Sequence, residues 1–146
     1  MADVYGVSAT KAFNTTPSEK VAVNIWGGRM RSMTDIFEGT GNAIGTDIIV
    51  GRLPKGAQIQ SGSRILCDAL GASSTLALST RSVADGTTEV AILPATASSS
   101  AAIIAATISE IATFPLITTE EVDIIVTVAG GTVTGTIQTE VEYVAD

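Results

Sequence analysis

A chain of 146 residues with no histidine and one cysteine is long enough for one well-buried domain but lacks most catalytic vocabulary. Ser-His-Asp and Cys-His dyads, histidine-dependent metal sites, internal disulfides and CxxC motifs are all excluded. A net charge of −7 disfavours nucleic acid as a partner, because phosphate binding needs clustered Lys and Arg.

Residues 1–20 show little periodicity and read as an extended N-terminal arm. The arm carries Tyr5 and Phe13, two of only six aromatic residues, so at least part of it should be tied down on something. Val21, Val23 and Ile25 alternate with Ala22, Asn24 and Trp26, the period of a strand, and Gly27-Gly28 follows. Arg29 to Glu38 is a second extended run, and the two read as a hairpin around the glycine pair. In that reading Arg29, Arg31 and Met33 share a face and form a small basic ridge, a candidate interface or a solvated strand face.

Gly39 to Gly45 (GTGNAIG) invites comparison with the dinucleotide fingerprint and fails it. The spacing is GxGxxxG, and the next segment, Asp47-Ile48-Ile49-Val50, is strand-like rather than helical. It reads as a loop. Pro54-Lys55-Gly56 suits a tight turn, since Pro presets φ and Gly accepts positive φ. From Ala57 the chain alternates as a half-buried strand to Gln60, breaks at Ser61-Gly62-Ser63 and resumes at Arg64-Ile65-Leu66-Cys67. Cys67 sits in an apolar run and reads as a small buried hydrophobe. Gly71 to Ser74 is a loop before Thr75-Leu76-Ala77-Leu78.

Ser82 to Gly86 reads as a turn and Glu89 to Leu93 as a strand ending at Pro94. Residues 95–113 are ambiguous: Ile104, Ile108 and Ile111 have helical spacing, whereas the Ser, Thr and Ile content favours a loop followed by a strand. The last 25 residues read as a hairpin. Val122 to Val128 is almost wholly β-branched, Ala129-Gly130-Gly131 turns the chain, and Thr132 to Val144 alternates polar and apolar. At about 3.3 Å per residue that strand would reach roughly 40 Å, so a bend or bulge is expected at Gly135.

The core must be built of Val, Ile, Leu and Ala, which pack well on pleated surfaces. Many short strands with Gly and Pro punctuation and no βαβ alternation give an all-β chain. The expected fold is an antiparallel, jelly-roll-like β-sandwich spanning residues 21–146 behind the 1–20 arm.

All eight basic residues lie in residues 1–81, which balance at +2, whereas residues 82–146 carry nine acids and no base. Either the fold interleaves the two halves, or the subunit is dipolar and presents one sign to a partner. Glu120, Glu121 and Asp123, with Glu140 and Glu142 opposite across the expected hairpin, form the only dense carboxylate group. It has neither the aromatic platforms of a glycosidase nor the pattern of an EF-hand. The residues assign no catalytic, cofactor or metal site. No basic, apolar leader opens the sequence, and the charge-free Val90 to Ser109 stretch is too polar for membrane insertion, so a soluble protein made in the cytoplasm is expected.

Three stretches, ADVYGVSATK (2–11), LPKGAQIQSGSRILCDALGASSTLAL (53–78) and VTGTIQTEVEYV (133–144), resemble the small cement or decoration proteins of tailed-bacteriophage heads. The resemblance covers about a third of the chain. It implies a jelly-roll-like sandwich, commonly a homotrimer, bound to the major capsid protein on the outside of the shell at threefold or quasi-threefold positions. On that reading Tyr5, Phe13, Arg29 and Arg31 are the candidate capsid or subunit interface, with no cofactor, nucleic acid or membrane involved. Another virion sandwich, such as a head-fibre base or tail-associated subunit, and a carbohydrate-binding module are the alternatives.

Overall fold

The computed structural model describes residues 29–107, 110 and 113–145. Tyr5, Phe13, the 1–20 arm, the Val21–Trp26 strand with its Gly27-Gly28 turn, and Ile108 and Ile111 lie outside them. The described chain forms ten strands: β1 (Met30–Asn42), β2 (Asp47–Leu53), β3 (Gln58–Ile59), β4 (Arg64–Cys67), β5 (Thr75–Ser82), β6 (Glu89–Ala97), β7 (Ala102–Ala105), β8 (Leu116–Ile117), β9 (Val122–Ala129) and β10 (Val133–Val144).

Every pairing is antiparallel, and the pairings are nested. The β5–β6 hairpin is innermost, followed by β4–β7, β3–β8, β2–β9 and finally β1–β10. This long ribbon is rolled up, closed in one sheet by β10 against β4 and β3 and in the other by β5 against β9. Sheet one runs from β1 to β10, then to β4 and β3 lying end to end, then to β7 and β8; sheet two has the order β2-β9-β5-β6. That is the jelly roll the sequence led us to expect.

The core between the sheets is aliphatic. Leu53, Ile59, Ile65, Leu76, Leu78, Leu93, Ile124, Val126, Val128, Val133 and Ile137 are fully buried, and Phe37, Phe114 and Tyr143 only pack against its margin. Each such aliphatic side chain contributes about 1.5–3 kcal/mol of burial free energy. Ser74 and Ser98 are buried polar residues whose hydroxyls satisfy each other at 2.9 Å.

Several local expectations need correction. The C-terminal hairpin does not exist: β9 lies in the middle of sheet two and β10 in the middle of sheet one. Gly130-Gly131 therefore carries the chain from one sheet to the other. It lies beneath the Gly71–Ser74 loop so closely that a Cβ on Gly130 would sit 2.1 Å from the Ser73 carbonyl. Glu140 and Glu142 are accordingly on the opposite sheet from Glu120, Glu121 and Asp123. Strand β1 continues through Gly39 to Asn42, so only the second half of the glycine-rich stretch is a turn. Strand β6 passes through Pro94 to Ala97, which an edge strand tolerates, and its register with β5 is irregular there. Gln58 faces away from the core beside Ile59 yet is buried as well, so β3 is covered on both faces.

Other expectations hold. Pro54-Lys55-Gly56 is a turn with Gly56 at φ +85° and the Ala57 amide donating to the Pro54 carbonyl. Gly135 takes φ +131° opposite Gly39, and the β1 bulge between Thr40 and Asn42 lies across from the adjoining Thr134 and Val133. Of residues 95–113, 95–97 complete β6, 99–101 form a bend and 102–105 are strand β7.

Candidate interaction surfaces

In a two-layer sandwich, alternate residues of every strand face outward, so the register fixes which side chains share an outer surface. On sheet one, Ile36 pairs with Gln138, Gln138 with Leu66, and Leu66 with Ile103. These residues form one row across the whole outer face. Ile36 and Ile103 are 61% and 64% exposed, although their inward neighbours Phe37 and Ile104 pack on the core. Polar rows flank it: Thr34, Glu140 and Arg64 on one side, Glu38, Thr136 and Asp68 on the other. Arg64 donates to Glu140 at 2.7–2.8 Å, Thr136 to Glu38 at 2.8 Å. Leu66, Ile103 and Ala101 also line an open depression of about 510 Å³, with Asp68, Thr136 and Gln138 as its polar wall.

The outer face of sheet two is built differently. Ile125 points outward from β9 and yet is 0% exposed. Across the ladder Arg52 and Arg81 both lie opposite Asp123. Arg52 donates to Asp123 at 2.7 and 3.3 Å and reaches Glu121 at 3.6 Å. The hydrogen bond and charge of Asp123, with a smaller contribution from Glu121, hold the Arg52 guanidinium further toward its charged form. Arg81 bridges to Asp47 at 3.0 Å, and Asp47 also accepts from Thr127 at 2.9 Å. The Arg81 stem thereby runs over Ile125.

These ion pairs decide between the two readings of the charge asymmetry. Arg52 and Arg64, from the basic half, pair with acids of the acidic half, so among the described residues the fold interleaves the two. Three acids that looked like a cluster are instead largely engaged by, or beside, Arg52. Among the described residues no group of His, Cys, Asp or Glu is arranged to hold a metal ion.

Of the sequence-predicted site residues, Arg29 and Arg31 are exposed at the start of β1. Met33 shares the Arg31 face by alternation but does not extend a ridge: its thioether lies over Gly51, where a Cβ would come within 1.8 Å of Sδ. The predicted basic ridge is thus a solvent-facing arginine beside a packed methionine. Cys67 is buried, and burial pushes its thiol pKa up, away from nucleophilic use. The apolar row went unnoticed in the sequence because it joins three strands far apart in the chain. One signal was present: Ile65-Leu66-Cys67 and Ile103-Ile104 are continuous apolar runs, and a strand with one solvent face has no need of them.

The topology defines the chain as a jelly-roll β-sandwich. Two solved structures share it. One chain in the capsid structure of Ralstonia phage GP4 matches with a TM-score of 0.58 at 20% identity, over 82% of this chain and 86% of its own. A chain in the capsid asymmetric unit of cyanophage Pam1 matches with a TM-score of 0.56, also at 20% identity, over 83% and 88%. No protein-family model matches the sequence, and no curated protein sequence does.

Proposed function

We propose that this protein is a structural component of a phage virion, a cement or decoration protein that binds the outside of the capsid and stabilises the shell without catalysing a reaction. The observation that carries this reading is the near full-length match of the jelly roll to chains of two phage capsid structures. The three resembling sequence stretches support it. The partner is the major capsid protein, and the working form is a homotrimer at threefold positions, where many copies bound together give avidity that a single weak contact lacks. Synthesis takes place in the host cytoplasm before attachment.

The apolar row of sheet one is the surface that best suits such docking, because it offers desolvated contact area framed by polar residues. The 1–20 arm with Tyr5 and Phe13, and the exposed Arg29 and Arg31, complete the contact. Purified protein mixed with emptied, undecorated capsids should bind at a fixed number of sites per capsid, seen by cosedimentation and cryo-electron microscopy. A variant lacking residues 2–20 should bind much less while keeping its folded far-ultraviolet spectrum. Immunogold label on the tail and none on the head would overturn the reading.

A further inference from the structure

Strand β1 is the edge of sheet one, and the main chain shows which of its residues face outward along the sheet. On β10, Thr136 and Glu142 exchange bonds with the β3 and β4 side: Asp68 N–H donates to the Thr136 carbonyl and Gln60 N–H to the Glu142 carbonyl. Even-numbered residues of β10 therefore point away from β1, and its odd-numbered residues bond Phe37, Asp35, Met33 and Arg31, their register partners. That leaves the amides and carbonyls of Met30, Ser32, Thr34 and Ile36 on the free edge. The Ile36 amide donates at 2.9 Å to the carboxylate of the preceding Asp35, as a free-edge N–H would. Among the described residues no strand covers this edge.

The side chains along it are complementary to themselves. Met30 and Ile36 are 60% and 61% exposed, and Arg31 and Asp35 have no ion-pair partner among the described residues. All four sit symmetrically about Met33. We propose that β1 pairs antiparallel with β1 of a second copy about a two-fold axis at Met33. This places Met30 opposite the second copy's Ile36, and Arg31 opposite the second copy's Asp35, each twice.

The register satisfies a parity condition that half of all registers fail. Free-edge residues must meet free-edge residues, and Met30 with Ile36 and Ser32 with Thr34 are such pairs. Arg31 and Asp35 then meet at non-hydrogen-bonded positions, where side chains come closest. The paired edge also extends the apolar row of sheet one, because Met30 of the second copy lies beside Ile36. Two exposed edges, each a liability for non-specific strand addition, are removed by one contact. The pairing is independent of the virion reading; on a shell it joins one threefold oligomer to its neighbour.

The test is sedimentation velocity of the full chain over a range of concentrations, with three variants. The wild type should show two-fold self-association that weakens as salt rises. Asp35→Arg, which sets arginine against arginine at both ends, should weaken it roughly ten-fold or more. The swap Arg31→Asp with Asp35→Arg should restore it. Thr34→Pro removes a free-edge donor without touching the β10 ladder, and should abolish association while leaving the circular dichroism spectrum unchanged. A monomeric wild type overturns the proposal; so does an association indifferent to Asp35→Arg, a swap that fails to restore it, or a trimer unaffected by every variant.

Discussion

Two outward-facing isoleucines, Ile125 on sheet two and Ile103 on sheet one, are treated in opposite ways. Ile125 is fully buried where the Arg81–Asp47 pair spans β9. Ile103 stands open beside Leu66. Sheet two still leaves Ile49, the β2 partner of Ile125, 55% exposed, so the contrast is between these two positions rather than between whole faces. At these two positions the difference separates an isoleucine covered within the subunit from one left open at the surface.

The sharpest way to break the contrast is truncation of both residues. Ile125→Ala should cost about 2–4 kcal/mol of unfolding free energy in urea titrations, the loss expected of a core site. Ile103→Ala should stay within about 0.5 kcal/mol. Equal losses would erase the distinction. Next in size, Arg81→Ala uncovers Ile125 and unpairs Asp47, and should cost about 1–2 kcal/mol, most of it lost packing rather than lost charge. The double change Leu66→Ser with Ile103→Ser should leave the melting temperature nearly unmoved while markedly reducing capsid binding in cosedimentation.

The smallest effects concern single groups away from both faces. Asp85, in the β5–β6 turn, accepts from the Thr88 hydroxyl and then from the amides of Thr88 and Thr87, which hold its carboxyl well below its ordinary value near 3.8. A group whose folded-state pKa is lowered adds stability above its unfolded pKa and loses it as pH falls. Protonating the turn should therefore weaken the hairpin only below about pH 4, and Asp85→Asn should flatten that part of the acid profile. Carboxyl carbon chemical shifts would show Asp85 titrating at lower pH than an ordinary aspartate. The Cys67 thiol should react with a disulfide reagent only on the timescale of unfolding.

Much of the fold was legible from local pattern. Alternation at 133–144, the aliphatic core, the turn at Pro54-Lys55-Gly56 and the irregularity at Gly135 follow from side-chain period and backbone freedom, which are local properties. The false hairpin at 122–144 shows where such reading stops. Two β-branched runs around Gly130-Gly131 fit a hairpin and an inter-sheet crossing equally well. What decides is that β9 is buried on both faces, which only the assembled sheets reveal. The surfaces were less legible still, since Ile36, Gln138, Leu66 and Ile103 fall into one row through register alone, and the partners of Arg52 and Arg64 are about 70 residues or more away in the chain.

The nested order of pairing has a kinetic consequence. The ribbon can zip outward from β5–β6, where only a short turn must close, to β1–β10, whose pairing joins Met30 to Val144 across almost the whole described chain. Loop-closure entropy favours the inner rungs first, and so much non-local pairing places folding in the slow, millisecond-to-second range. The β1 amides should then be the first to exchange their hydrogens in the native protein. Among the described residues, the last strand to dock is also the one whose outer edge no other strand pairs.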